Sequence, residues 1–135
     1  MLFRIIYCSQ SRCTASEAAK LLDHSRINNA RLGVTGALYL SSGRFVQCLE
    51  GEKEEVGSLY KRISLDRRHT KCQLLDYRPI SGRVYSAWSM AWLPESTCAS
   101  MLMKALVSGS DRFEQLDGAS MGAFFYAMAH TGECR

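Results

Sequence analysis

The apolar positions along this chain change period several times, and each change marks an element. Leu2 to Cys8 is a short apolar run with aromatic and β-branched residues, which predicts a strand. Thr14 and Glu17 stand at capping-box spacing, Thr14 closing the first turn and Glu17 reaching back. Ala18, Leu22, Ser25 and Asn29 then recur on one helical face, and Gly33 predicts the left-handed residue that ends the helix. Val34 to Leu40 and Arg44 to Glu50 read as strands joined by the turn Ser41-Ser42-Gly43. After Gly51, Glu52 to Leu65 predicts a second helix. Val56, Leu59, Tyr60 and Ile63 form its apolar stripe, and Glu52, Glu54 and Glu55 suit its N-terminal end. Cys72 to Tyr77 and Ser86 to Leu93 predict two further strands, separated by Pro79 and Gly82, with Pro94 closing the last.

The order β-α-β-β-α-β-β predicts an α+β, ferredoxin-like sheet with an added strand and two helices on one face. Two later segments are amphipathic. Cys98, Met101, Leu102 and Ala105 form one stripe, and Met121, Phe124, Phe125 and Met128 another. They are expected to cover the other face, which would otherwise expose apolar surface. Residues 1–95 are read as the domain and 96–135 as a C-terminal helical extension packed on its sheet.

Composition narrows the function. The chain has 135 residues, 47% apolar and 22% charged, enough for one packed domain. Its net charge of +4 is spread out, densest at Arg67, Arg68 and Lys71, and no concentrated basic stripe predicts nucleic-acid binding. Six cysteines, at 8, 13, 48, 72, 98 and 134, include no C-x-x-C pair, and His24, His69 and His130 lie far apart, so no metal site is predicted. Met1 to Gln10 lacks the apolar run of a signal peptide, and no stretch approaches the ~20 apolar residues of a membrane span. A reduced, soluble, cytoplasmic protein is expected. There is no G-x-S-x-G, P-loop or G-x-G-x-x-G, and no nucleophile–base pair, so no enzyme chemistry is predicted.

A few polar residues do not suit a plain core. Phe45, Gln47 and Leu49 alternate onto one face of their strand, which places Gln47 between two apolar residues. A buried amide without partners costs about 1–3 kcal/mol, so something must bond it. Phe3, Ile5 and Tyr7 share a face of the first strand, which neighbours the third in a ferredoxin-like sheet, so Tyr7 and Gln47 can meet. On pattern alone, a structural pair that satisfies itself explains them. Asn28 and Asn29 suit a helix end, Arg67 and Arg68 suit a helix C-terminal dipole, and Trp88, Met90 and Trp92 share a face of the last strand as packing residues.

Taken together, the segments Arg4-Ile5-Ile6-Tyr7-Cys8-Ser9, Ser25-Arg26-Ile27-Asn28-Asn29 running into Gly33-Val34-Thr35-Gly36, Phe45-Val46-Gln47-Cys48-Leu49-Glu50-Gly51, Asp66-Arg67-Arg68-His69 and Trp88-Ser89-Met90 resemble the BLUF family, blue-light sensors using flavin. The resemblance covers about residues 1–95. It implies a flavin held without a covalent bond between the two helices, normally FAD, with FMN possible. It implies that Ile5, Tyr7, Asn28, Asn29, Phe45, Gln47 and Arg68 contact the flavin. Tyr7 and Gln47 would then be photoactive, with Trp88 and Met90 as alternating readout residues. It also implies a homo-oligomer and an unidentified downstream signalling protein. Two alternatives of the same fold stand beside it: a small acylphosphatase-like hydrolase, and a ligand-binding or oligomerisation module without photochemistry.

Overall fold

The structure is a computed structural model that describes residues 1–11, 13–41, 43–67, 69–106 and 116–135. Its elements are β1 (Leu2–Ser11), α1 (Ala15–Leu32), β2 (Thr35–Ser41), β3 (Arg44–Glu52), α2 (Lys53–Ser64), β4 (His69–Pro79), β5 (Ala91–Leu93), α3 (Thr97–Leu106) and α4 (Gly118–Ala129). The five strands form one sheet in the order β4-β1-β3-β2-β5. All pairs are antiparallel except β2 with β5.

The local signals act as the sequence suggests. Thr14 caps α1, and both halves of the capping box with Glu17 are formed. Gly33 closes the helix at φ 67°, a left-handed conformation that glycine adopts without penalty. Gly36 lets β2 and β3 approach closely, because a Cβ there would lie 2.0 Å from the Cys48 carbonyl oxygen.

The pleat sorts side chains onto two faces. On one, Phe3, Ile5, Tyr7, Leu38, Phe45 and Leu49 pack with Leu22 of α1 and with Val56, Leu59 and Tyr60 of α2. On the other, Ile6, Cys8, Ala37, Tyr39, Val46 and Cys48 pack with Ala99 of α3 and with Met121, Phe124, Phe125 and Met128 of α4. The C-terminal helices therefore cover the second face, as their stripes predict.

The last strand differs from expectation. A strand over Ser86 to Leu93 is expected, and only Ala91–Leu93 pairs. The preceding backbone spends its hydrogen bonds elsewhere. The Val84 and Tyr85 amides donate to the buried Glu50 carboxylate at 2.7 and 2.9 Å. Trp88 N–H donates to the Tyr85 carbonyl, and the Trp88 carbonyl accepts from Gly36 N–H. Without a ladder, strand alternation does not apply. Trp88 therefore does not share a face with Met90 and Trp92. It packs against the cluster under α3 and α4, while Met90 is buried in the cluster under α1 and α2, with Trp92 packed against it.

Candidate functional site

Register builds the centre of the site. Tyr7 on β1 lies directly opposite Gln47 on β3, and Gln47 lies opposite Leu38 on β2, which pairs with Trp92. Paired residues point to the same face, so these four side chains cross the sheet in one row beneath α1 and α2. Tyr7 is fully buried and Gln47 is 4% exposed. The Tyr7 hydroxyl donates to Gln47 Oε1. The other end of the same amide points away, and Gln47 Nε2 donates to the Met90 sulfur at 3.4 Å.

This arrangement is chemically uneven. The phenol–amide contact joins a good donor to a good acceptor, whereas a thioether is a weak acceptor. Nε2 carries two hydrogens, so it can donate to a better acceptor as well. Burial pushes the Tyr7 phenol well above its ordinary range, and the neighbouring Cys72, Tyr60 and Asp66 push in the same direction. Tyr7 is therefore a neutral, proton-bearing donor. The ring of Tyr60 lies 5.4 Å from that of Tyr7, centroid to centroid, and tilted against it.

Helix α1 closes one side. Asn29, 2% exposed, donates from Nδ2 to the Ser89 carbonyl at 2.7 Å. Three residues earlier on the same face, Arg26 donates from Nε to the Met90 carbonyl at 2.9 Å. Together they fix the backbone of the residue that touches Gln47.

Tyr7, Gln47 and Met90 are thus brought into contact, with Ile5 and Phe45 buried in the same cluster and Asn29 one hydrogen bond from Met90's neighbour. Asn28 lies on the exposed flank of α1, and Trp88 lies on the other side of the sheet. Arg68 lies outside the described residues. Sequence reasoning missed Arg26 and Glu50 as individual residues. Arg26 was detectable from its i, i+3 spacing to Asn29. Glu50 was detectable as a carboxylate in a mostly apolar stretch of its strand, where burial demands donors. Among the described residues no cluster suits a metal ion, and no helix is long and apolar enough to cross a membrane.

A ferredoxin-like sheet carrying a buried tyrosine–glutamine–methionine chain under two helices defines a small α+β domain. Residues 2–91 match the family described as sensors of blue light using FAD. The chain belongs to that BLUF family of blue-light flavin photoreceptors. Over 93 residues it is 37% identical to photoactivated adenylate cyclase subunit alpha of Euglena gracilis, a match covering 66% of this chain and 9% of that protein. The chain thus spans about a tenth of that relative's length. Among solved structures, BlsA in its photo-activated state superposes with a TM-score of 0.90 at 24% identity, covering 100% of this chain and 99% of that one, a likeness of fold. BlrB, a BLUF protein in its dark state, gives 0.76 at 29% identity, covering 94% and 93%. Klebsiella pneumoniae BlrP1 with FMN and cyclic diGMP gives 0.72 at 26% identity, covering 94% of this chain and 35% of that one.

The residues present fit a flavin. The second N–H of Gln47 suits an acceptor on the ring edge. The Asn29 amide keeps an acceptor end while its donor end holds Ser89. Ile5, Phe45 and Leu38 supply apolar walls.

Proposed function

We propose that the chain senses blue light through Tyr7 and Gln47 and reports the event through the backbone around Met90. The observation that carries this reading is the buried chain Tyr7–Gln47–Met90, in which one amide faces a strong donor at one end and a weak acceptor at the other. The bound flavin supplies light absorption and an excited state that takes an electron and a proton. Tyr7 is the group placed to give both, since its phenol is buried, neutral and hydrogen-bonded. The proton's path runs through Gln47 Oε1. When the phenol loses its proton for a moment, Gln47 no longer receives a hydrogen bond at Oε1. Turning the amide then presents N–H toward Tyr7 and oxygen toward Met90, whereas shifting its tautomer in place turns Oε1 into an O–H donor toward Tyr7. The proton and electron return to Tyr7, and the altered amide remains as the signal. The thioether contact is lost in that state, and its loss biases the segment held by Asn29 and Arg26.

Gln47, Asn29, Ile5 and Phe45 are the ring contacts best supported by their placement, with Asn28 on the flank of α1 and Arg68 as further contacts. FAD is the preferred flavin, a choice supported by the family's use of FAD, with FMN, which BlrP1 carries, as the alternative. Residues 1–95 would form the sensing domain and 96–135 its extension. The chain would act as a sensor and not a catalyst, signalling to a separate protein or through a change in homo-oligomer. Its six free thiols support a reducing, cytoplasmic setting.

The test is the visible spectrum of purified protein supplied with FAD or FMN, in darkness and after blue light. A reversible shift of the flavin bands to longer wavelength is expected. Bound flavin whose bands do not move would leave a flavin-binding module and overturn the sensing role of this pair. Failure to take up either flavin would overturn the site.

A further inference from the structure

Resting on the sensor reading above, we infer that Arg26 is a positioning residue that couples Met90 to the chain segment 131–135. One guanidinium joins the two. Nε donates to the Met90 carbonyl at 2.9 Å, and Nη2 donates to the Arg135 main-chain oxygen at 2.5 Å. Arg135 in turn exchanges both backbone hydrogen bonds with Trp92, at 2.8 and 2.9 Å. A single side chain thus grips the main-chain oxygen of the residue beside Gln47 and that of a residue 45 positions further on, which is itself stitched to β5.

The chemistry of the residue suits the task. A guanidinium is planar, permanently charged and rich in donors in a fixed fork, so two carbonyls held by it keep a fixed spacing. A lysine supplies the charge without the fork. The side chain also has room to follow a moving partner. It borders a cavity of about 330 Å³ lined by Ala18, Leu22, Leu40 and Trp92, so it is not packed on every side.

Asn29 and Arg26 divide the work. Asn29 holds Ser89 and belongs to the flavin side of α1. Arg26 holds Met90 and leads away from it. A change at Met90 Sδ that shifts the Met90 backbone must either stretch the Nε bond or carry Arg26 along, and in both cases the grip on Arg135 changes. Coupling of this kind is reciprocal. Loosening the segment at Arg135 must therefore feed back on how long the switched amide at Gln47 persists.

The experiment uses flavin-loaded full-length chain, with wild type compared to Arg26→Ala and Arg26→Lys. The visible spectrum of each sample is recorded first, so a failed sensor reading shows as an absent red shift. Amide hydrogen exchange over residues 131–135 is then measured in darkness and under steady blue light, and the dark recovery of the flavin bands is timed. Wild type is expected to show a several-fold light-dependent change in exchange at this segment. Arg26→Ala is expected to keep the red shift, lose that light dependence and change the recovery time several-fold. Arg26→Lys is expected to restore only part of both. A normal red shift with no light-dependent exchange in wild type overturns the coupling. So does Arg26→Ala with wild-type light dependence, or with unchanged recovery. If Arg26→Ala does not fold, Arg26→Lys with full wild-type behaviour overturns it.

Discussion

The two faces of this sheet are built from the same strands by alternate residues, and their buried phenols are bonded differently. The face under α3 and α4 buries Ile6, Val46, Tyr39, Phe124, Phe125 and Met128, and the hydroxyl of Tyr85 there donates to the Phe125 backbone carbonyl at 2.6 Å. The face under α1 and α2 buries a similar apolar set, and its phenol, Tyr7, donates to the side-chain amide of Gln47. A backbone carbonyl in a helix has one orientation. A glutamine amide has two, which exchange a donor for an acceptor without moving the backbone. Both phenols are buried and satisfied, and burial pushes both far above their ordinary range. In the proposed reading, the difference between a wall and a switch is thus the partner, not the tyrosine.

That contrast can be broken from either side. The largest effect expected is on the wall. Phe124→Ala empties a fully buried ring and should cost about 3–5 kcal/mol in urea unfolding, while folded molecules keep their red shift. Loss of the photoresponse at full stability would show the faces to be less separate than described. Next comes Tyr7→Phe, which removes the donor to Gln47 Oε1. It should cost about 1–3 kcal/mol, retain flavin and abolish the red shift. A normal shift in that variant removes Tyr7 from the photochemistry. Tyr85→Phe is the matched change on the other face. It should cost about 1 kcal/mol and leave the red shift as in wild type.

The smallest effect concerns pH. Because burial raises the Tyr7 phenol, the native state holds its proton more tightly than the unfolded chain does. The stability this contributes is intact below about pH 10, where a free phenol begins to ionise, and is lost as pH rises further. The amplitude of the light response should accordingly be flat between about pH 6 and 9, since no ionisation of Tyr7 falls in that window. A midpoint inside that window would contradict the raised phenol and assign the response to another titrating group.

Much of this was legible in the chain. The capping box at Thr14, Gly33, the hairpin, and the alternation that puts Tyr7 and Gln47 on one face are local signals, and local hydrogen bonding obeys them. The segment before β5 was not legible. Ser86 to Leu93 read as one strand, but Trp88 bonds the backbone of Tyr85 and Gly36, and Val84 and Tyr85 just before it bond Glu50, contacts that only the fold brings together. For the same reason the sequence could not say whether Trp88 or Met90 faces Gln47. That choice depends on where Asn29 and Arg26 hold two carbonyls some 60 residues away, and here it falls on Met90.

The most direct measurement is the light-minus-dark visible spectrum of flavin-loaded Gln47→Leu beside wild type. Wild type should shift to longer wavelength and recover in darkness, while Gln47→Leu should hold flavin with bands that stay in place. A shift of equal size in Gln47→Leu would contradict the amide switch and leave Gln47 as no more than the structural partner of Tyr7.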